Sequence, residues 1–273
     1  MDWNICGPKR QLDYLEKMIQ QDKLAHGLLL AGPSGVGKRA VARALAQKLG
    51  AQFPDYIEIA GGGGIKIEQI RELIYKLSLK PYSSKYKVAV IDEAEELTLE
   101  AANALLKALE EPKSYTVIIL ITANPEKLPQ TILSRVQKIN FGLVPWAQYE
   151  HLLPADQKQT IERLAPGRPG LSLAIAADSA LAESMAETGE AYQIFVQGSD
   201  PAARLMLAAD LAQKDTPDLR AILLSWLERL VFELRLSPSE RLAARINQVN
   251  LSLKYLEQNA NSKLLLTNLI LNT

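Results

Sequence analysis

Hydrophobic positions in the first half of the chain switch repeatedly between helical spacing and short unbroken runs. Leu12, Leu15 and Ile19 lie on one face of a helix, residues 28–31 form an apolar strand, and Val41, Leu45 and Leu49 return to helical spacing. A short strand at 56–59 runs into the four glycines 61–64, which read as a loop inside the same domain. Ile67, Ile70, Ile74 and Leu77 make the next stripe, followed by a buried strand at 88–91. Leu99, Ala102, Leu105, Leu106 and Leu109 then mark a helix started by Thr98 and stopped by Pro112. Residues 117–121 read as another buried strand, 131–133 as part of a short helix and 138–141 as the last strand. Strands that are apolar throughout need cover on both faces, so the pattern predicts a parallel sheet flanked by helices, an α/β domain.

After Pro145 no strand-like run follows, and alanine and leucine at helical spacing take over. The expected division is an α/β domain over 1–145, a small helical domain over 146–185 and an all-helical domain over 186–273. Asp200-Pro201, Thr216-Pro217 and Ser237-Pro238 each set a capping side chain before a proline, so each is expected to start a helix.

Composition narrows the chemistry. Lys plus Arg and Asp plus Glu both number 31, so no global positive field attracts nucleic acid, and any DNA contact must be local or shared with partners. The single Cys6 excludes an intramolecular disulfide and a cysteine-based zinc site. No apolar run approaches the roughly 18 residues that mark a membrane span. The chain is therefore expected to be soluble and cytoplasmic, with no membrane partner.

The most chemical stretch is "LLLAGPSGVGKRA". Gly32, Pro33, Ser34, Gly35, Val36, Gly37 and Lys38 follow an apolar strand and precede a helix, the context a phosphate-binding loop requires. Its backbone N–H groups and the helix dipole would cradle phosphate oxygens, with Lys38 reaching the outer ones. The next residue ordinarily gives a hydroxyl to Mg²⁺, and Arg39 has only donors to offer. Weak ATP or ADP binding is compatible with that loop, whereas Mg²⁺ is not expected to be held well.

Further positions carry open alternatives. Asp92 and Glu93 end the strand of "KVAVIDEAEEL", where an aspartate could orient Mg²⁺ and a glutamate polarise water, or where either could simply cap a helix. Thr122 could bond a water or a γ-phosphate, or be a plain strand-end hydroxyl. Arg135 lies between a short helix and a strand, placed to be a surface ion-pair partner or a finger offered to a neighbour's nucleotide, a role that supplies roughly 10³ to 10⁵ in rate. Lys66, Arg71, Lys76, Lys80, Lys85 and Lys87 make one segment locally basic, either as a solvated helix face or as a DNA contact, with Arg71 the preferred phosphate contact.

Together "GPSGVGK", "VIDEAEELTLEAANALLKALEEP" and "NPEKLPQTILSR" resemble the clamp-loader branch of the AAA+ ATPases, and the "ANALLKALEEP" block resembles the loader of bacterial DNA polymerase III. The resemblance spans about residues 1–175 and implies an AAA+ domain, a helical lid domain and a C-terminal helical collar. Motor subunits of that family carry Ser or Thr after the lysine and delta-prime subunits commonly do not, so Arg39 implies a non-motor, delta-prime-like subunit. The resemblance further implies gamma or tau and delta subunits as partners in a hetero-pentamer, with the sliding clamp and primed DNA engaged through the assembly. Arg135 would act in trans, Glu93 would belong to a degenerate site and Thr122 would be a sensor. In place of the family's second-sensor arginine the segment reads Gly167-Arg168-Pro169-Gly170, and residues 50–66 lack the four-cysteine module of many relatives, so no zinc is expected. Ser134-Arg135-Val136 has valine where the family usually has cysteine, and valine fills a similar apolar volume. The alternative is a working ATPase, either a loader motor or another AAA+ DNA-processing enzyme.

Overall fold

The computed structural model describes residues 3, 5–198, 200–258 and 260–271, and they divide into two compact units, Met1–Ala177 and Asp178–Thr273. In the first unit α1 (Lys9–Gln20), β1 (Gly27–Ala31), α2 (Lys38–Lys48), β2 (Tyr56–Ile59), α3 (Ile67–Ser78), β3 (Lys87–Ile91), α4 (Leu99–Glu110), β4 (Thr116–Thr122), α5 (Gln130–Leu133) and β5 (Gln137–Asn140) follow the predicted alternation. Helices α6 (Lys158–Leu164) and α7 (Pro169–Ala177) close this unit. The sheet is parallel with strand order β2-β3-β4-β1-β5.

Every residue of β1, β3 and β4 is buried, because helices cover both faces. Side-chain alternation sends Leu28, Leu30, Val88, Val90 and Ile119 to one layer with Val41 and Leu45. Leu29, Ala89, Ile91, Ile118 and Leu120 go to the other layer with Ile70, Leu73 and Leu105. The register pairs Ala31 with Thr122 and Ile91 with Leu120, so the ends of three central strands arrive together at one edge. Ligands of open α/β sheets bind outside those carboxyl ends.

Polar side chains fix the helix ends and loops. Thr98 caps α4 as expected, its hydroxyl accepting the Ala101 N–H at 3.2 Å. Lys87, 6% exposed, donates to the Lys76 carbonyl at 2.9 Å and faces those of Leu79 and Lys80, which places its charge at the negative end of α3. The buried carboxylate of Asp55 accepts the N–H groups of Tyr82, Ser83 and Ser84 and the Ser84 hydroxyl. Burial pushes the Asp55 carboxyl up, and those donors outweigh it and hold it below its usual value.

The second unit comprises α8 (Ser179–Gln197), α9 (Pro201–Leu211), α10 (Thr216–Leu236), α11 (Glu240–Glu257) and α12 (Ser262–Leu271). Its core holds Phe195 stacked on Trp226 at 4.8 Å, with the Tyr192 ring edge-on to Trp226. The division expected at 185/186 falls inside α8, whose start is set by Asp178 accepting the Ala180 and Leu181 N–H groups. Asp200 caps α9 as expected. At α10 the capping side chain is Asp215, one residue before the expected Thr216. Ser237-Pro238 is not a helix start: Ser237, at φ −143° and ψ 88°, has left the helical region and ends α10, since a residue before proline avoids that region, and α11 begins at Glu240 after Ser239.

Candidate functional site

The loop between β1 and α2 builds the centre of the site. Gly32 donates its N–H to the Thr122 carbonyl at 3.1 Å, tying the loop to the end of β4. Gly37 precedes α2 at φ +97°, a left-handed conformation that glycine adopts without strain, and this turn aims the first N–H groups of the helix at the cleft. Lys38 is 6% exposed, and its ammonium donates to the carbonyls of Gly32 at 2.5 Å and Pro33 at 2.7 Å. The cleft has a volume of about 340 Å³ and includes Lys38, Arg39, Asp92, Glu93, Thr122 and Gly170 in its walls. The candidate residues of the phosphate loop, the β3 end and the β4 end thus converge, although they are spread over more than eighty positions of chain.

Arg39 turns toward the sheet and not toward Glu93. Its Nε lies 2.5 Å from Glu58 Oε1 and 3.6 Å from Asp92 Oδ2. Glu58 also accepts from Arg43 at 3.0 Å and from the Tyr56 hydroxyl at 2.5 Å. Burial pushes the Glu58 carboxyl up, but the donors Arg43, Tyr56 and Arg39 together hold it below its ordinary value. Burial, then the bond to Glu58, raises the Tyr56 phenol to about 12.

Asp92 accepts its neighbour's Glu93 N–H through Oδ1 at 3.0 Å, so part of its carboxylate serves the turn, while the short helical turn that begins at Ala94 has no side-chain cap from either acid. Glu93 itself sits at φ +53° with its carboxylate against Gly61, a strained placement for a residue with a side chain. Desolvation there, followed by the negative charges of Asp92, Glu95 and Glu96, raises the Glu93 carboxyl, and Arg39 opposes them. Thr122 is buried and its hydroxyl accepts the Asn124 N–H at 2.9 Å, a strand-end role combined with a place in the cleft wall.

Mg²⁺, the ion that accompanies nucleotide in this fold class, fits these residues poorly. The position that would give a hydroxyl holds a guanidinium, and that guanidinium faces Asp92, the carboxylate that would orient the ion's waters. The phosphate cradle itself is intact: Gly32, Pro33, Ser34, Gly35, Val36 and Gly37 lead into an eleven-residue helix.

The start of α7 closes one side of the loop. Gly170 and Leu171 both donate N–H groups to the Gly35 carbonyl, at 2.8 and 3.3 Å. A Cβ on Gly170 would lie 2.9 Å from that oxygen, so the close approach itself requires glycine where a second-sensor arginine would stand.

Arg135 lies apart from this cleft, on the turn between α5 and β5. Its Nε donates to Glu110 Oε1 at 2.7 Å and its Nη1 to the Thr131 carbonyl at 2.9 Å and Ser134 Oγ at 3.0 Å, which fixes the guanidinium at a rim. Val136 is partly buried against the core layer on the α4 side. Arg71 is exposed on α3. The basic segment around it is less available than its composition implies: Lys87 caps α3, Lys76 pairs with Glu72 and Lys85 with Asp22.

Glu58, Arg43, Tyr56 and Glu95 are site residues that sequence reasoning missed. Glu95 accepts the Ala123 N–H through Oε1 at 3.0 Å, while its buried Oε2 has no hydrogen-bond partner among the described residues. An acid between two isoleucines of β2 and two arginines spaced i, i+4 on α2 were the available signals.

Comparison with known proteins agrees with the geometry. A family model described as DNA polymerase III, delta subunit, matches residues 50–144, and a TIP49 P-loop domain model matches residues 9–72. The chain is 31% identical over 210 residues to DNA polymerase III subunit tau/gamma of Haemophilus influenzae, covering 69% of the chain and 30% of that relative. It is 30% identical over 213 residues to subunit delta-prime of Bacillus subtilis, covering 69% of the chain and 65% of that relative. The chain therefore spans about a third of the tau/gamma relative and just under two thirds of the delta-prime one. A DNA polymerase III gamma subunit-related protein from Thermotoga maritima shares the fold, with a TM-score of 0.50, 19% identity, and coverage of 94% of this chain and 97% of that one.

Proposed function

The chain belongs to the AAA+ clamp-loader family of bacterial DNA polymerase III, and within that family we propose that it is a non-motor, delta-prime-like subunit. The observation that carries the proposal is Arg39: the residue after the loop lysine is a guanidinium paired with Glu58 and facing Asp92, so the metal-handling half of a hydrolytic site is spent on an internal salt bridge. Gly170 at the start of α7 adds a second defect, since no charged side chain reaches the outer phosphates from that position. Losing one charge-stabilising donor costs on the order of 10² to 10³ in rate, and two such losses leave slow hydrolysis or none.

In this reading the chain assembles with gamma or tau and delta subunits into a hetero-pentamer, helps the motors open the sliding clamp and place it on primed DNA, and offers Arg135 to a neighbouring motor's ATP. The rim position supports that role; Glu110, Thr131 and Ser134 hold the guanidinium in this state, and in trans it would exchange those acceptors for a phosphate. The lid extends over α6 and α7, and the second unit is the collar. Support for the collar is the groove of about 570 Å³ between α11 and α12, around which Leu251, Tyr255 and Leu264 stay exposed. Arg71, with Lys66 and Lys80 also exposed nearby, is the proposed DNA phosphate contact.

A hydrolysing motor is the second reading, favoured by the gathering of Lys38, Asp92, Glu93 and Thr122 around one cleft. ATP turnover by the isolated chain separates the two, and reconstitution with gamma, delta, clamp and primed DNA tests the finger. Arg135→Ala in this chain should depress the mixture's clamp- and DNA-stimulated ATP turnover by at least about 10³ per affected motor site. An unchanged turnover removes the finger role.

A further inference from the structure

Lys38 and Arg39 are consecutive cations at the mouth of a phosphate cradle, yet they are held in opposite ways. Lys38 lies folded against the loop's own carbonyls, whereas Arg39 is pinned from the sheet side by Glu58. Glu58 is itself fixed by Arg43 and by the Tyr56 hydroxyl, so it cannot follow Arg39 away from β2. The resulting guanidinium stands beside Asp92, in the part of the cleft where a hydrated divalent cation would bridge that carboxylate and the phosphates.

We propose that this cleft takes the phosphate chain of a nucleoside diphosphate or triphosphate without a divalent cation, with Arg39 as the resident cation in the metal's place and Glu58 as the residue that positions it. The inference rests on the non-motor reading and deepens it: the site is a nucleotide site adapted to holding, with the ion needed for hydrolysis replaced by a side chain.

Three features lead to this ligand class and to metal independence. The cradle keeps its glycines, its lysine and an eleven-residue helix behind it, which together select phosphate oxygens. A guanidinium offers N–H donors in a planar fork that matches phosphate, and it presents no lone pair to a metal. Mg²⁺ needs near-octahedral oxygen ligation, and here one ligand position is lost and a fixed positive charge lies 3.6 Å from the carboxylate the ion would use.

The test is calorimetric titration of the full chain with ADP, first with excess EDTA and then with excess MgCl₂. Wild type should bind with affinities equal within about twofold in the two conditions. Arg39→Thr, which restores a hydroxyl and frees Asp92, should bind at least about tenfold more tightly with Mg²⁺ than with EDTA. Glu58→Gln, which unpins Arg39 while keeping its charge, should weaken wild-type-like binding in EDTA severalfold, with its fold checked by circular dichroism. A wild-type affinity that rises about tenfold on adding Mg²⁺ overturns the proposal, and so does an absence of ADP binding under both conditions. Neither of those results touches the non-motor reading, which fails only if the isolated chain turns over ATP rapidly.

Discussion

Arg39 Nε lies 2.5 Å from Glu58 Oε1, a contact that joins the first turn of α2 to the edge strand β2 across nineteen residues of chain. Glu58 is the better buried partner, its side chain 12% exposed against 46% for Arg39, so the pair is anchored on the sheet and not on the helix.

The first prediction concerns acid stability. The Glu58 carboxyl is lowered in the folded chain, because its donors outweigh the effect of burial. The stabilisation is therefore fully present above the ordinary glutamate pKa of about 4.3 and is lost as pH falls through the lowered folded value. Glu58→Gln should reduce stability at neutral pH by about 1 to 3 kcal/mol and flatten the loss of melting temperature below about pH 4.3. Melting curves of both proteins across that window check it, and parallel acid limbs would remove Glu58 as the linked group.

The docking of α7 on the phosphate loop gives the second. Gly170→Ala puts a methyl group 2.9 Å from the Gly35 carbonyl, and the atom it meets is backbone, which cannot swing aside. The variant should lose about 1 to 3 kcal/mol and release the Gly170 and Leu171 amides, which now donate to that carbonyl. Hydrogen exchange at those two amides reads the effect directly, and unchanged protection contradicts it.

The exposed face of the second unit carries the third. Leu264 is 76% exposed beside the groove between α11 and α12, so Leu264→Glu should leave the unit folded, within about 0.5 kcal/mol of wild type. Assembly with the other loader subunits should weaken about tenfold or more in sedimentation or light-scattering titrations. Equal assembly of both proteins places the collar contact elsewhere.

Local signals in the sequence were reliable where one side chain meets the backbone a few residues away. Thr98 and Asp200 cap their helices because the competing partners are in the same turn. Ser237-Pro238 misleads because a proline just after one helix and a proline just inside the next leave the same dipeptide in the sequence. The 185/186 boundary falls inside α8 because that helix runs through the alanine-rich stretch and across Gly189, and its start is the quieter cap at Asp178. In the site, the loop, Asp92, Glu93 and Thr122 were legible because each ends a strand or begins a helix. The direction of Arg39 was not, since it depends on the packing of α2 beside β2. Charge pattern likewise overstated the basic segment: Lys76, Lys85 and Lys87 are occupied by Glu72, Asp22 and the end of α3.

The central claim, that this is a non-motor member of its family, is tested most directly by steady-state ATP turnover of the purified chain alone, with Lys38→Ala as the control. The account predicts turnover that is absent or only slightly above that control, because Arg39 is committed to Glu58 and Asp92. Rapid turnover by the wild-type chain that Lys38→Ala abolishes would contradict it and make this chain a motor in its own right.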